Sequence, residues 1–249
     1  MMGRTHSSAG MVLSLAAAPL LVNAGIVEAN GYSYVALAVA GAGAAMVPDF
    51  DHRHATIAHS LGPVSKALAI GIEKISGGHR NGTHSLLGWA IWILISIGFC
   101  AVGGYALGLF LAFLLAVGMA GLQVKFSKKS FVLHSLICIA AGYWLIRSSA
   151  IDAFPVWLIP WACAIGYFAH IGPVGGDMLT LQGVPLLWPV NKTRFKLANV
   201  TTDHFTERVI IGPALGLIAI VQVLWLAGYA PLLLDIASAA WEVAKPYVA

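Results

Sequence analysis

The chain has 249 residues, 59% of them hydrophobic and only 10% charged, with a mean hydropathy of +0.84 and a formal net charge of +4. A soluble domain carries roughly 25% charged residues, so this composition excludes a water-soluble globular protein and selects an integral membrane protein. The excess of basic residues lies in short loops, where it reads as a topology signal and not as a nucleic-acid surface.

The first apolar run covers residues 9–26, with His6 just ahead of it in "RTHSSAG". Residues 1–24 also loosely match a secretory signal, but cleavage would discard His6, and the segment is read as a retained span. The second run, 33–47, is short for a span of about 20 residues and is ended by Pro48. Residues 62–76 place Lys66, Glu73 and Lys74 among apolar residues at helical spacing, the pattern of an interfacial helix. Further runs follow at 86–102, 104–123, 131–147, 155–171 and 209–228, with a last short one at 231–244. The expected fold class is all-α: a polytopic bundle of about seven to eight transmembrane helices plus the interfacial helix. Cys100, Cys138 and Cys163 fall inside apolar segments without CxxC spacing, so neither a disulfide framework nor a thiolate metal site is expected.

Sidedness follows from the basic residues. With the N-terminus in the cytoplasm, Arg4, Arg53, Lys66, Lys74, Arg80, Lys125, Lys128, Lys129, Lys192, Arg194, Lys196 and Arg208 all fall inside. Arg147 falls outside, and Lys245 is unassigned. The same map sets all 9 histidines on the cytoplasmic face together with Asp49, Asp51, Asp177 and Asp203. Glu28 and Asp152 are left as the clear acids of the far side. One polar site at the cytoplasmic membrane surface is expected.

Four stretches carry the candidate chemistry. Alone, His6 reads as a solvated residue near a terminus. In "PDFDH", carboxylates at alternate positions converge on one cation when the backbone turns, and His52 adds a nitrogen; such mixed sites suit zinc, manganese or iron. The same residues equally make a polar turn that ends a helix. "GGHRNGTHSLLG", residues 77–88, is a tight loop leading to a span, with Thr83 as the expected N-cap. His79 and His84 flank Arg80, whose guanidinium suits a phosphate or carboxylate. In the fourth stretch His170 ends a span, and Asp177 follows a break made by Gly172, Pro173, Gly175 and Gly176. His54, His59, His134 and the "TTDH" at 201–204 read as bystanders.

Together "THSSAG", "PDFDH", "GGHRNGTHSLLG" and "GYFAH…GDMLTLQGVPLLWP" resemble the YdjM-like family of predicted membrane-bound metal-dependent hydrolases. That family is considered distantly similar to zinc-dependent phospholipase C and P1-type nucleases. The resemblance covers residues 4–191 and implies His6, Asp49, Asp51, His84, His170 and Asp177 as metal ligands. His52 and His79 become ligands or their supports. One departure stands out: the family's last His and Asp are four apart, whereas "IGPVGG" separates His170 from Asp177 here. Either the helix breaks and Asp177 swings back, or one of the pair does not ligate.

The expectation is a single membrane-embedded domain over 1–249, with a hydrolase-like region at 4–191 and a C-terminal loop and one or two helices at 192–249. Its function would be metal-dependent hydrolysis of a phosphoester, such as that of a lipid headgroup, at the cytoplasmic surface of the inner membrane. One or two divalent ions, zinc first, would activate water. Asp49 or Asp51 would act as base, and Arg80 and Arg53 would orient an anionic group such as a phosphate. Expected partners are membrane lipid and a small-molecule or lipid ester, and no nucleic acid. The alternative is a metal-binding membrane protein without enzyme activity, a transporter or a structural site. A transporter would carry ionisable residues at mid-membrane, where these spans have almost none.

Overall fold

Glycine and alanine decide how the helices pack. The structure, a computed structural model, describes residues 3–123, 131–147, 156–202 and 205–248. Helix α2 (Gly31–Ala44) is the hub, packed against α1 (Gly3–Asn23), α5 (Gly104–Gly121) and α7 (Leu158–Ile171). A Cβ at Gly41 would stand 2.0 Å from Ser14 Oγ of α1, and one at Gly166 of α7 would stand 2.2 Å from the Gly41 carbonyl. A Cβ at Gly43 would meet the Leu114 carbonyl of α5 at 2.3 Å. Three neighbours therefore touch the α2 backbone itself, the contact that small residues permit between membrane helices. Leu15, Leu37, Leu114, Leu158 and Ile159 fill the remaining space, each fully buried.

The other helices surround this hub. Helix α4 (Leu86–Val102) lies on α7 and α5, α6 (Phe131–Arg147) on α5, and α8 (Gly212–Leu224) on α1. Buried His134 ties α6 to α5, its Nε2 3.1 Å from the Ala116 carbonyl. Helix α3 (Pro63–Ile75) is the expected amphipathic helix; it packs on the short turns Val47–Asp51 and Ile57–His59 and buries only Ser65 and Ala69. Helix α9 (Ala230–Val248) continues from α8 through a wide turn, Trp225–Tyr229, that breaks at Gly228. There is no strand among the described residues; isolated bridges join Thr180 to Val200 and Val184 to Phe195 in the loop after α7.

Four helical stretches are long and apolar enough to cross a membrane: Gly3–Asn23, Gly31–Asp51, Gly104–Gly121 and Thr206–Trp241. Leu86–Val102, Val132–Trp144 and Leu158–Ile171 are apolar but shorter, so length supports fewer spans than the seven to eight expected. Two expectations change in detail. Helix α1 begins at Gly3, so His6 lies inside the first helix instead of ahead of it. The second segment, taken as short, continues from α2 through Val47–Asp51 and reaches 21 residues. Lys125, Lys128, Lys129, Asp152, Asp203 and His204 lie outside the described residues.

Candidate metal centre

The first turns of α1, the end of α2, the loop before α4 and the end of α7 meet at one end of the bundle. Pro48 opens the tight turn Val47–Asp51, which carries both aspartates off the end of α2. Gly77 and Gly78 adopt φ of +77° and +98°, and Arg80 follows at +58°, a conformation L side chains seldom take. That turn aims the Arg80 amide at Asp51 Oδ2, 2.7 Å away. Ser85, not Thr83, caps α4 by accepting from the Gly88 amide. The Thr83 hydroxyl donates to Asp51 instead.

The inserted residues after His170 resolve into a compact return. Helix α7 stops at Ile171, and Gly176 packs on its last carbonyls. A Cβ there would lie 2.4–2.5 Å from the carbonyl oxygens of Gly172, Ala169 and His170. Because only glycine fits so closely, Asp177 swings back over the end of α7. Its Oδ2 lies 3.7 Å from His170 Nε2 and 3.3 Å from His84 Nε2.

His6, His84, His170 and Asp177 are all fully buried. His84 Nε2 and His170 Nε2 face each other at 3.2 Å. Asp49 Oδ1 is 3.7 Å from His170 Nε2 and 4.0 Å from His84 Nε2. His6 stacks on His170 with ring centroids 3.6 Å apart, and its Nε2 is 3.7 Å from Asp177 Oδ1. Neither ring nitrogen of His6 has a hydrogen-bond partner. Two overlapping triads, His6–His170–Asp177 and Asp49–His84–His170, each bring their ligand atoms within 4.8 Å of one another.

The atoms behind these rings fix their orientation. His170 Nδ1 donates to the Ala45 carbonyl at 2.6 Å, which turns the Nε2 lone pair into the cluster. His84 Nδ1 lies 3.2 Å from Asp51 Oδ2 and likewise presents Nε2. Such support is the usual arrangement behind ligating histidines. Arg80 Nη2 donates to Asp177 Oδ1 and Nη1 to Thr180 Oγ1, both at 2.9 Å. Tyr167 donates its hydroxyl to the Thr83 carbonyl and braces the loop against α7.

Charge follows from these contacts. Burial disfavours the His84 imidazolium, but hydrogen bonds to Asp177 and Asp51 outweigh it and push its pKa up to about 9. Burial also opposes ionisation of Asp177, yet hydrogen bonds from His170 and His84 hold its carboxyl well below the usual range. Two Nε2 atoms that face each other at 3.2 Å need a proton or an ion between them. The raised His84 pKa favours a proton on that side of the pair.

Each residue singled out in the sequence has a place here. His6, Asp49, His84, His170 and Asp177 surround the centre. Asp51 stands behind it, 2.8 Å from His79 Nδ1 and hydrogen-bonded to the His84 loop. His79 is 36% exposed at its side chain, and His52 packs edge-on to it at 4.6 Å. His54 and His59 are exposed. Arg80, expected to hold a substrate anion, spends its guanidinium on Asp177 and Thr180. Tyr167, Thr180 and the Ala45 carbonyl went unnoticed in the sequence. Nothing about a tyrosine, threonine or alanine inside these runs marks it until the fold brings it to the ligands.

A model of the YdjM inner membrane protein family matches residues 1–124 and 124–243. The chain belongs to that family. The two matched segments carry the two halves of the cluster, with His6, Asp49, Asp51 and His84 in the first and His170 and Asp177 in the second. No curated protein and no solved structure matches.

Proposed function

We propose that this YdjM family protein is a membrane-bound metal-dependent hydrolase that acts on a phosphoester, with one divalent ion, zinc first among candidates, at its cluster. The observation that carries the reading is the spacing of the facing atoms. Ligands about 2.0–2.2 Å from a tetrahedral ion lie about 3.4 Å apart. The separations among His84 Nε2, His170 Nε2 and Asp177 Oδ2 run from 3.2 to 3.7 Å, and Asp49 Oδ1 lies 4.0 and 3.7 Å from the two nitrogens. They suit one coordination sphere. Because His170 Nδ1 is engaged by Ala45, only its Nε2 is available, and the two triads must share that atom. This favours one ion over two, with the unpartnered His6 ring as a further ligand.

A bound ion would supply an acidified water and a positive charge opposite the oxygen under attack. The chain's own residues prepare for it. Asp51 and the Ala45 carbonyl hold two imidazoles in the ligating tautomer, and Arg80 holds Asp177. Asp51 is committed to His79, His84 and the Arg80 amide, which leaves Asp49 as the carboxylate able to take a proton. The Asp49 side chain is 16% exposed while its neighbours are sealed, so it marks the open side of the centre. A purely structural site would be closed on every side. That opening favours hydrolysis over a structural metal.

The proposal also places the centre at the cytoplasmic surface, with α4, α6 and α7 crossing as shorter spans. Arg4, Arg53, Lys66, Lys74, Lys192, Arg194, Lys196 and Arg208 all belong to that end of the bundle, as the positive-inside rule requires. The test is turnover of a phosphoester panel, lipid and soluble, by purified protein with and without metal. Metal-dependent hydrolysis lost in both His84→Ala and Asp49→Ala is expected. Metal-replete protein inert on every substrate would overturn the hydrolase reading.

A further inference from the structure

Helix α3 has two apolar faces, and the rest of the chain covers only one. Ser65 and Ala69 are buried, and Ile72 packs on the core beside them. Val64, Leu68 and Ile75 are exposed, Ile75 by 84%. At 3.6 residues per turn these three and Gly71 fall within about 60° of one another, a stripe to one side of the buried face.

The loop after α7 extends this surface. Val184 and Phe195 exchange backbone hydrogen bonds at 3.0 and 2.8 Å and close a hairpin whose tip exposes Leu187 and Val190, the latter by 95%. Trp188 in that tip covers the turn that follows α3: a Cβ at Gly77 would lie 3.7 Å from its ring, and one at Gly82 3.0 Å. Cations frame the apolar residues. Lys66 and Lys74 stand on α3, and Lys192, Arg194 and Lys196 on the hairpin, all of them exposed. Among the described residues none of the five meets a carboxylate, and Glu73, the acid of α3, is held by Arg53 at 2.8 Å.

We infer that α3 and this hairpin form a docking surface for anionic phospholipid in the leaflet at this end of the bundle. The charge selects the occupant. A second copy on a shared two-fold axis would bring the same five cations against these, which like-charge repulsion disfavours. An anionic leaflet supplies their counter-charge and takes the apolar stripe into its acyl boundary, the arrangement of amphipathic helices that lie in a membrane surface. Helix α3 packs on Val47–Asp51, so the docked lipid lies beside the turn that carries Asp49. Nothing in this surface requires an ion in the His/Asp cluster.

Gly71 gives a handle inside the stripe. A Cβ built there meets no atom within 4 Å, and the three native cysteines are buried. Full-length Gly71→Cys, labelled with a fluorophore, is reconstituted with EDTA into phosphatidylcholine vesicles. These carry an equal fraction of either brominated phosphatidylglycerol or brominated phosphatidylcholine. Bromine quenches on contact, so the label reads both immersion in lipid and choice of headgroup. Quenching by both lipids is expected, about fivefold more effective with phosphatidylglycerol, the factor that one cation near an anionic surface supplies. The preference should shrink in raised salt and vanish when Lys66, Lys74, Lys192, Arg194 and Lys196 are all replaced by Gln. Should that variant fail to fold, the salt titration of the labelled chain carries the test. A label quenched by neither lipid, or equally by both, overturns the proposal. An unquenched label that crosslinks between chains assigns the stripe to a second copy and likewise overturns it.

Discussion

Among the four long apolar stretches of the described residues, the most apolar is also the least buried. The most apolar 18 residues of Thr206–Trp241 average 2.4 in hydropathy and are 6% buried, whereas those of Gly31–Asp51 average 1.3 and are 72% buried. In water this would be inverted. In a membrane, lipid solvates large side chains such as Leu217, Ile220 and Trp225, and helices approach through Gly and Ala. Hydropathy therefore finds the spans but not the core; small residues find the core. The His/Asp cluster belongs to the small-residue region, which has the rigidity a ligand set needs.

Substitutions on the two sides of this contrast should behave oppositely. Gly41→Val forces a Cβ against Ser14 Oγ and the Gly10 carbonyl, and should cost about 3 kcal/mol, read from unfolding in detergent. At the cluster, Asp51→Asn keeps the shape behind His84 but removes the carboxylate. It should weaken metal binding about 10- to 100-fold, measured by competition with a chromophoric chelator. The metal-free chain should also show a pH slope. Folding raises the His84 pKa from 6.5 to about 9, so its contribution is fully present below about pH 6.5 and is lost as pH rises through about 9. Thermal unfolding across that window should fall with pH in the wild type and lose the slope in His84→Gln. Metal affinity should rise over the same window, because the ion displaces that proton. The smallest effect belongs to the exposed region: Leu217→Ala should stay within about 0.5 kcal/mol of wild type. A large loss there would mean that another surface covers α8.

Much of this was legible in the sequence, for reasons that particular residues make plain. Helices α4 and α6 stand within their apolar runs because nothing interrupts the pattern before Gly103 in the one or before Arg147 in the other. The five residues around the centre were marked by the gathering of His and Asp at one end of the spans and by the family resemblance; alone, His6 read as solvated. Their roles were not legible. Asp49 and Asp51 are two positions apart and read alike, yet a tight turn points one to the centre and the other to the backs of His79 and His84. The extra residues before Asp177 hid its return, because the fit of Gly176 on the end of α7 is a contact that spacing cannot express. Thr5 and Glu207 drew no notice, since their burial depends on α8 meeting α1 across some 200 residues.

The central claim is one ion held at one cluster. Elemental analysis of gently purified protein tests it most directly, beside His84→Ala prepared identically. One divalent ion per wild-type chain, and none in the variant, is expected. A wild-type chain with no metal, or one whose metal persists in His84→Ala, would contradict it.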